Sequence, residues 1–160
     1  MEPDERRDLA AMLYPLVRAL IEVEMPVLAT QDVSMWGYSV LAALDRTPIR
    51  TQAALAEAIG ADKTRIIGTL DALQEAGLIS RTPDPDDRRA RLLAITDEGR
   101  RVRRSVTADI RAREERLLAT LPAADRRGFL RALTALSALP PGELEEIAAG
   151  PVSGSPRSPA

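Results

Sequence analysis

Lys63, Thr64 and Arg65 open the run Asp62-Lys-Thr-Arg-Ile-Ile-Gly68, and further along Arg88, Arg89 and Arg91 cluster behind Pro83-Asp-Pro-Asp-Asp87. These residue types suit recognition of nucleic acid. Arg and Lys donate to guanine or phosphate, Thr reaches either, Ile67 can meet a thymine methyl, and Gly68 lets a backbone come close. The clustered carboxylates that could serve hydrolysis or a metal are Asp84, Asp86 and Asp87, and the adjacent Arg88 and Arg89 would neutralise them. The 160 residues include neither Cys nor His, which excludes disulfides, thiolate sensors, Cys/His metal sites and His-dependent triads. The sequence therefore predicts a binding protein with no catalytic residue, no metal and no cofactor.

The elements that would position these residues can be read from periodicity. Leu55 and Ile59 lie four apart in a short helix beginning at Thr51, and Gly60-Ala61 follows as a tight turn. Ile66, Leu70 and Leu73 then repeat at the spacing of one buried helical face over 62–76. Asp62 suits the N-cap of that second helix, and Gly77 suits a left-handed residue after its end. With the apolar stripe inward, Lys63, Thr64, Ile67, Gly68 and Asp71 face out, with Arg65 at the edge. Two strands, 78–82 and 91–96, flank the arginine-bearing turn. Helix, turn, helix and charged hairpin in that order describe a winged helix-turn-helix, whose second helix enters the major groove of double-stranded DNA.

Thr51-Gln52, Asp62-Lys63-Thr64-Arg65, Leu70-Asp71, Gly77-Leu78-Ile79, Asp84-Pro85-Asp86-Asp87-Arg88-Arg89 and Ile95-Thr96-Asp97-Glu98-Gly99 together resemble the MarR family of bacterial transcriptional regulators, over about residues 9–139. The resemblance implies a homodimer, with helix 62–76 in the major groove and wing 78–96 reaching toward the minor groove. It also implies that Arg89 approaches DNA while Asp87 helps hold it. The DNA-contacting set expected is Thr51, Gln52, Lys63, Thr64, Arg65, Ile67, Gly68, Arg88, Arg89 and Arg91. Relatives often carry a larger polar or basic residue where Gly68 stands, so fewer direct base contacts are expected here. The rival class is a winged helix that binds an acidic protein surface through the same basic residues.

The rest reads as scaffold, giving a mainly α fold of about six helices with a small β-hairpin wing. Leu9, Met12 or Leu13, Leu16 and Leu20 form a stripe on a first helix that Pro15 should kink or restart. A second helix spans about 34–44. Thr96-Asp97-Glu98 opens a long helix to about Leu121, and Pro122 opens the last, with Phe129, Leu130, Leu133, Leu136 and Leu139. The expected organisation is a helical dimerisation region at 1–33 and 97–139, a DNA-binding lobe at 34–96, and a Pro/Gly/Ser-rich tail without order at 140–160. Family relatives often bind aromatic or phenolic compounds where these regions join. By that carry-over Tyr14, Met35, Trp36 and Tyr38 are expected to line an effector pocket, with Arg18 as an anion partner.

Charge distribution agrees with this expectation. Residues 50–104 carry eleven basic and nine acidic groups, whereas the remainder carries eleven and fifteen, so the basic excess lies where DNA is expected. No signal peptide or membrane span is read from the sequence, and a cytoplasmic protein is expected.

Overall fold

The computed structural model describes residues 8–46, 49, 51–84 and 91–150, without the side chains of Lys63, Arg65 and Pro141. Its elements are α1 (Leu9–Ala29), α2 (Met35–Arg46), α3 (Gln52–Ile59), α4 (Lys63–Glu75), β1 (Ile79–Pro83), β2 (Arg91–Ile95), α5 (Asp97–Leu118), α6 (Ala123–Ser137) and α7 (Pro141–Ala149). The chain forms two compact units that divide between Glu114 and Glu115, within α5.

The helix ends follow from local chemistry. Thr51 caps α3, its Oγ1 accepting the Ala54 amide at 3.0 Å, and Asp62 caps α4, its Oδ1 accepting the Thr64 amide at 2.7 Å. Gly60 and Gly77 hold φ of 65° and 71°, left-handed values that end α3 and α4 at little cost to glycine. Leu41, Leu55, Ile66, Leu70, Leu93 and Val106 are fully buried and tie α2, α3, α4, β2 and α5 into one aliphatic core.

The wing strands pair antiparallel, with Ile79 opposite Ile95, Arg81 opposite Leu93 and Pro83 opposite Arg91. Pro83, which has no amide to donate, sits at the strand end. Ile49 adds a further rung on the other side of β2, exchanging both backbone bonds with Leu93 at 3.1 and 2.9 Å.

The joint between α4 and α5 is tight. Thr96 donates its hydroxyl to the Gly77 carbonyl at 2.7 Å and its amide to the Leu78 carbonyl at 3.1 Å, while its Oγ1 accepts the Gly99 amide at 3.0 Å. Nearby, α2 is braced on α5. Asp45 accepts Arg100 Nη1 at 2.9 Å on one oxygen and Arg103 Nη2 at 2.6 Å on the other, and Tyr38 Oη bonds Thr107 Oγ1 at 2.9 Å.

The structure corrects the sequence expectations in three places. Helix α1 runs unbroken from Leu9 to Ala29 with Pro15 and Pro26 inside it, so Pro15 starts no new helix. Seven helices are described rather than six, because Pro141 occupies the first turn of α7, where its missing amide costs nothing and Glu143 meets the positive pole. The expected unordered tail at 140–160 is thus helical over Pro141–Ala149, and residues 151–160 lie outside the described residues. Finally, Asp84, which the sequence groups with Asp86 and Asp87 beside two arginines, is only 3% exposed, whereas Asp86 and Asp87 lie outside the described residues.

In α1, Glu24 is partly buried near Glu114 of α5, and its carboxyl is held above the ordinary 4.5 by burial first and by the Glu114 charge second. The folded chain therefore binds that proton more tightly than the unfolded one, and stability falls as pH rises from 4.5 through the raised folded value. Glu24→Gln is expected to raise the melting temperature at about pH 7 and to lose that advantage below about pH 4, as a thermal scan in each buffer would show.

Candidate nucleic-acid interface

Helix α4 divides its residues cleanly. Ile66, Leu70 and Leu73 are buried, while Thr64, Gly68 and Asp71 are exposed and Ile67 is 46% exposed. The expected outward face is therefore the outward face found for those four. The backbone of Lys63 and Arg65 lies in the first turn of α4, and nothing further is described of their side chains. Arg88, Arg89 and the wing-supporting Asp87 lie outside the described residues.

Thr51 is exposed at the start of α3, but its hydroxyl oxygen already serves the Ala54 amide. Gln52, in the first turn, shares a polar cleft of about 300 Å³ with Gln74, Arg81 and Arg91. Two residues expected from the sequence, Gln52 and Arg91, are thus brought together with two that were missed. Strand alternation puts Arg81 on the same face as Ile79, directly opposite buried Leu93. From there its Nη2 donates to Asp71 Oδ1 at 2.7 Å, linking wing to α4, and its buried Nε has no hydrogen-bond partner among the described residues. Arg81 could have been found by noticing a cation two residues after Ile79 on an inward strand face. Two guanidinium groups and two amides around one cleft make a donor-rich setting for an anion such as a backbone phosphate.

The aromatic set expected for an effector is dispersed over two places in the single chain. Tyr14, 67% exposed, shares a shallow depression on α1 with Pro15, Arg18, Ala19 and Glu22, where Arg18 pairs Glu22 at 3.3 Å. Met35 and Tyr38 pack against the core of α2, Tyr38 spending its hydroxyl on Thr107, while Trp36 is half-buried on the same helix.

A family model described as MarR family matches residues 31–90. The transcriptional repressor CouR, solved bound to a 23-mer DNA duplex, is 30% identical, with 81% of this chain and 92% of that chain covered at a TM-score of 0.70. The chain belongs to the MarR family. Two further members of the comparison agree in fold. CouR from Rhodococcus jostii RHA1 bound to p-coumaroyl-CoA is 28% identical, covering 83% and 94% of the two chains at a TM-score of 0.67. RV1404 from Mycobacterium tuberculosis is 30% identical, covering 82% and 94% at 0.67. The winged helix of this MarR-family regulator is therefore formed by α2, α3, α4 and the β1–β2 hairpin. No helix among the described residues is long and apolar enough to cross a membrane.

Proposed function

We propose that this MarR-family regulator is a cytoplasmic, homodimeric repressor that binds double-stranded DNA at an inverted repeat and is not an enzyme. The observation that carries the reading is the exposed face of α4 beside the Gln52, Gln74, Arg81 and Arg91 cleft, in a chain similar to a repressor solved on duplex DNA. Thr64, Ile67 and Gly68 read the major groove together with Lys63 and Arg65, and the wing contributes Arg88 and Arg89, steadied by Asp87. Thr51 and Gln52 sit at phosphate, as does Arg91. Residues 34–96 form the DNA-binding lobe, and 1–33 with 97–139 form the dimerisation region.

Support for self-association comes from apolar side chains that a single chain leaves uncovered. On α1 these include Leu9, Met12, Leu13, Val17 and Ile21, and on α6 Phe129, Leu130, Leu133 and Leu136. Each of these unpartnered apolar faces, taken by itself, supports an interface. Two protomers then present two α4 helices to half-sites about one helical turn apart.

Release falls to a small aromatic or phenolic effector held by Tyr14, Arg18, Met35, Trp36 and Tyr38, a role supported by the relative solved with p-coumaroyl-CoA. Tyr38 would have to exchange its bond to Thr107 for one to the effector. The ligand must favour one spacing of the two α4 helices over another, otherwise it shifts nothing. Unchanged dose-response in Trp36→Ala would remove that residue from the effector site.

Fluorescence anisotropy of duplexes flanking the protein's own gene, at several salt concentrations and against random competitor, tests the DNA reading. Each neutralised phosphate should contribute a slope of about −0.9 in log K against log salt. Binding no tighter than to random duplex, in a screen that includes selected DNA libraries, would overturn it.

Gly68 gives a sharper check. A Cβ added there meets nothing within 4 Å, and its φ is not left-handed, so the fold of one chain does not require glycine. Gly68→Ala should stabilise the free protein by about 0.5–1 kcal/mol through helix propensity, yet weaken DNA binding where the backbone must come close. Chemical denaturation and anisotropy on the same variant would register the opposite signs.

A further inference from the structure

A second cavity runs along the flank of α4 that carries Thr69, Ala72 and Ala76. Its walls include Met25 and Ala29 at the end of α1, Asp32 in the following turn, and Thr69, Ala72 and Ala76 along α4, and it is an open groove of about 370 Å³. That volume falls at the lower end of small-molecule sites. The alanines keep it open, since larger aliphatic side chains at the same positions would fill it.

The charge of this cavity is one-sided. Asp32 is the one ionisable group in its lining, no Lys or Arg lines it, and the Asp32 carboxylate makes no ion pair among the described residues. Helix α1 ends at Ala29 and α4 is capped at Ala76, both lining residues, so two helices bring their negative poles to the same place. An anion would meet repulsion from all three. Asp32 also holds a φ of 51°, a left-handed conformation that Asp and Asn tolerate better than other side chains.

We infer that this groove binds an amphipathic organic cation, with an apolar body of one or two rings against Met25 and the α4 alanines and an ammonium group paired with Asp32. Its ligand differs in charge from the phenolic or acidic effector proposed above. Because one wall is α4 itself, occupancy bears on the recognition helix; that consequence rests on the DNA-binding reading, whereas binding in the groove does not.

The test uses the full chain without DNA. Phenyltrimethylammonium and, separately, benzoate are titrated while ¹H–¹⁵N amide spectra are recorded. The cation should produce saturable shifts at Ala29, Asp32, Ala72 and Ala76. Asp32→Asn, which keeps a residue at home in the left-handed region, should weaken its binding by about three- to tenfold. Ala72→Leu, at an exposed helical position, should abolish the shifts by filling the groove. Equal affinity in Asp32→Asn, benzoate binding there as tightly as the cation, or shifts confined to the apolar face of α1 would each overturn the inference.

Discussion

Gly99→Ala is expected to destabilise the fold by about 3 kcal/mol or more, because overpacking here meets backbone rather than a side chain that could turn aside. A Cβ at Gly99 would lie 2.1 Å from the Leu78 carbonyl oxygen and 2.8 Å from Ile95 Cγ1. Relief requires the first turn of α5 to withdraw from the α4–β1 turn, which would also strain the Thr96 bonds to Gly77 and Leu78. Urea titration should show the midpoint falling sharply. A Gly99→Ala chain as stable as the parent would mean that α5 does not start against Leu78 as described. Gly68→Ala in the same assay provides the control of opposite sign, since that glycine faces open space.

The second large effect separates the two faces of α4. Leu70 is fully buried in the aliphatic core, and Leu70→Ala should cost about 2–5 kcal/mol through lost burial and the cavity left behind. Ile67, three residues earlier and 46% exposed, should change stability by no more than about 0.5 kcal/mol when cut to Ala. In duplex binding the pattern inverts once the Leu70→Ala protein is held at a temperature where it is folded. Ile67→Ala then loses affinity through its missing methyl contact, and Leu70→Ala loses far less. Comparable affinity losses in both folded variants would show that α4 does not present the Ile67 face to DNA.

Much of the lobe was legible because its signals are local. Asp62, Gly60 and Gly77 act through their own backbone neighbours, and Ile66, Leu70 and Leu73 declare a face by spacing alone. Prolines were read only in part because they carry two meanings. Pro15 was expected to kink the first helix or restart it, and α1 continues through it without a new start, whereas Pro141, in a stretch expected to lack order, opens α7, whose first turn accepts it. Arg81 was missed for a different reason. An arginine on the inward face of a strand conflicts with hydrophobic alternation, and only the Asp71 carboxylate on α4, supplied by tertiary packing, accommodates it. The aromatic cluster shows the limit of closeness along the chain. Tyr14 and Arg18 share one face of α1 by their spacing, whereas Met35 and Tyr38 turn into the core from another helix.

The joint at Thr96 also has a mechanical meaning. Two hydrogen bonds from Thr96 and the close approach of Gly99 to Leu78 couple the end of α4 to the start of α5, so a force on α5 reaches α4 as torque. Helix α4 is about 20 Å long, and a rotation of about 5° at that joint sweeps its far end, where Lys63 and Thr64 stand, through about 2 Å. Angle is therefore the sensitive variable of this protein: a turn too small to disturb its core is large enough to carry a donor out of hydrogen-bonding range.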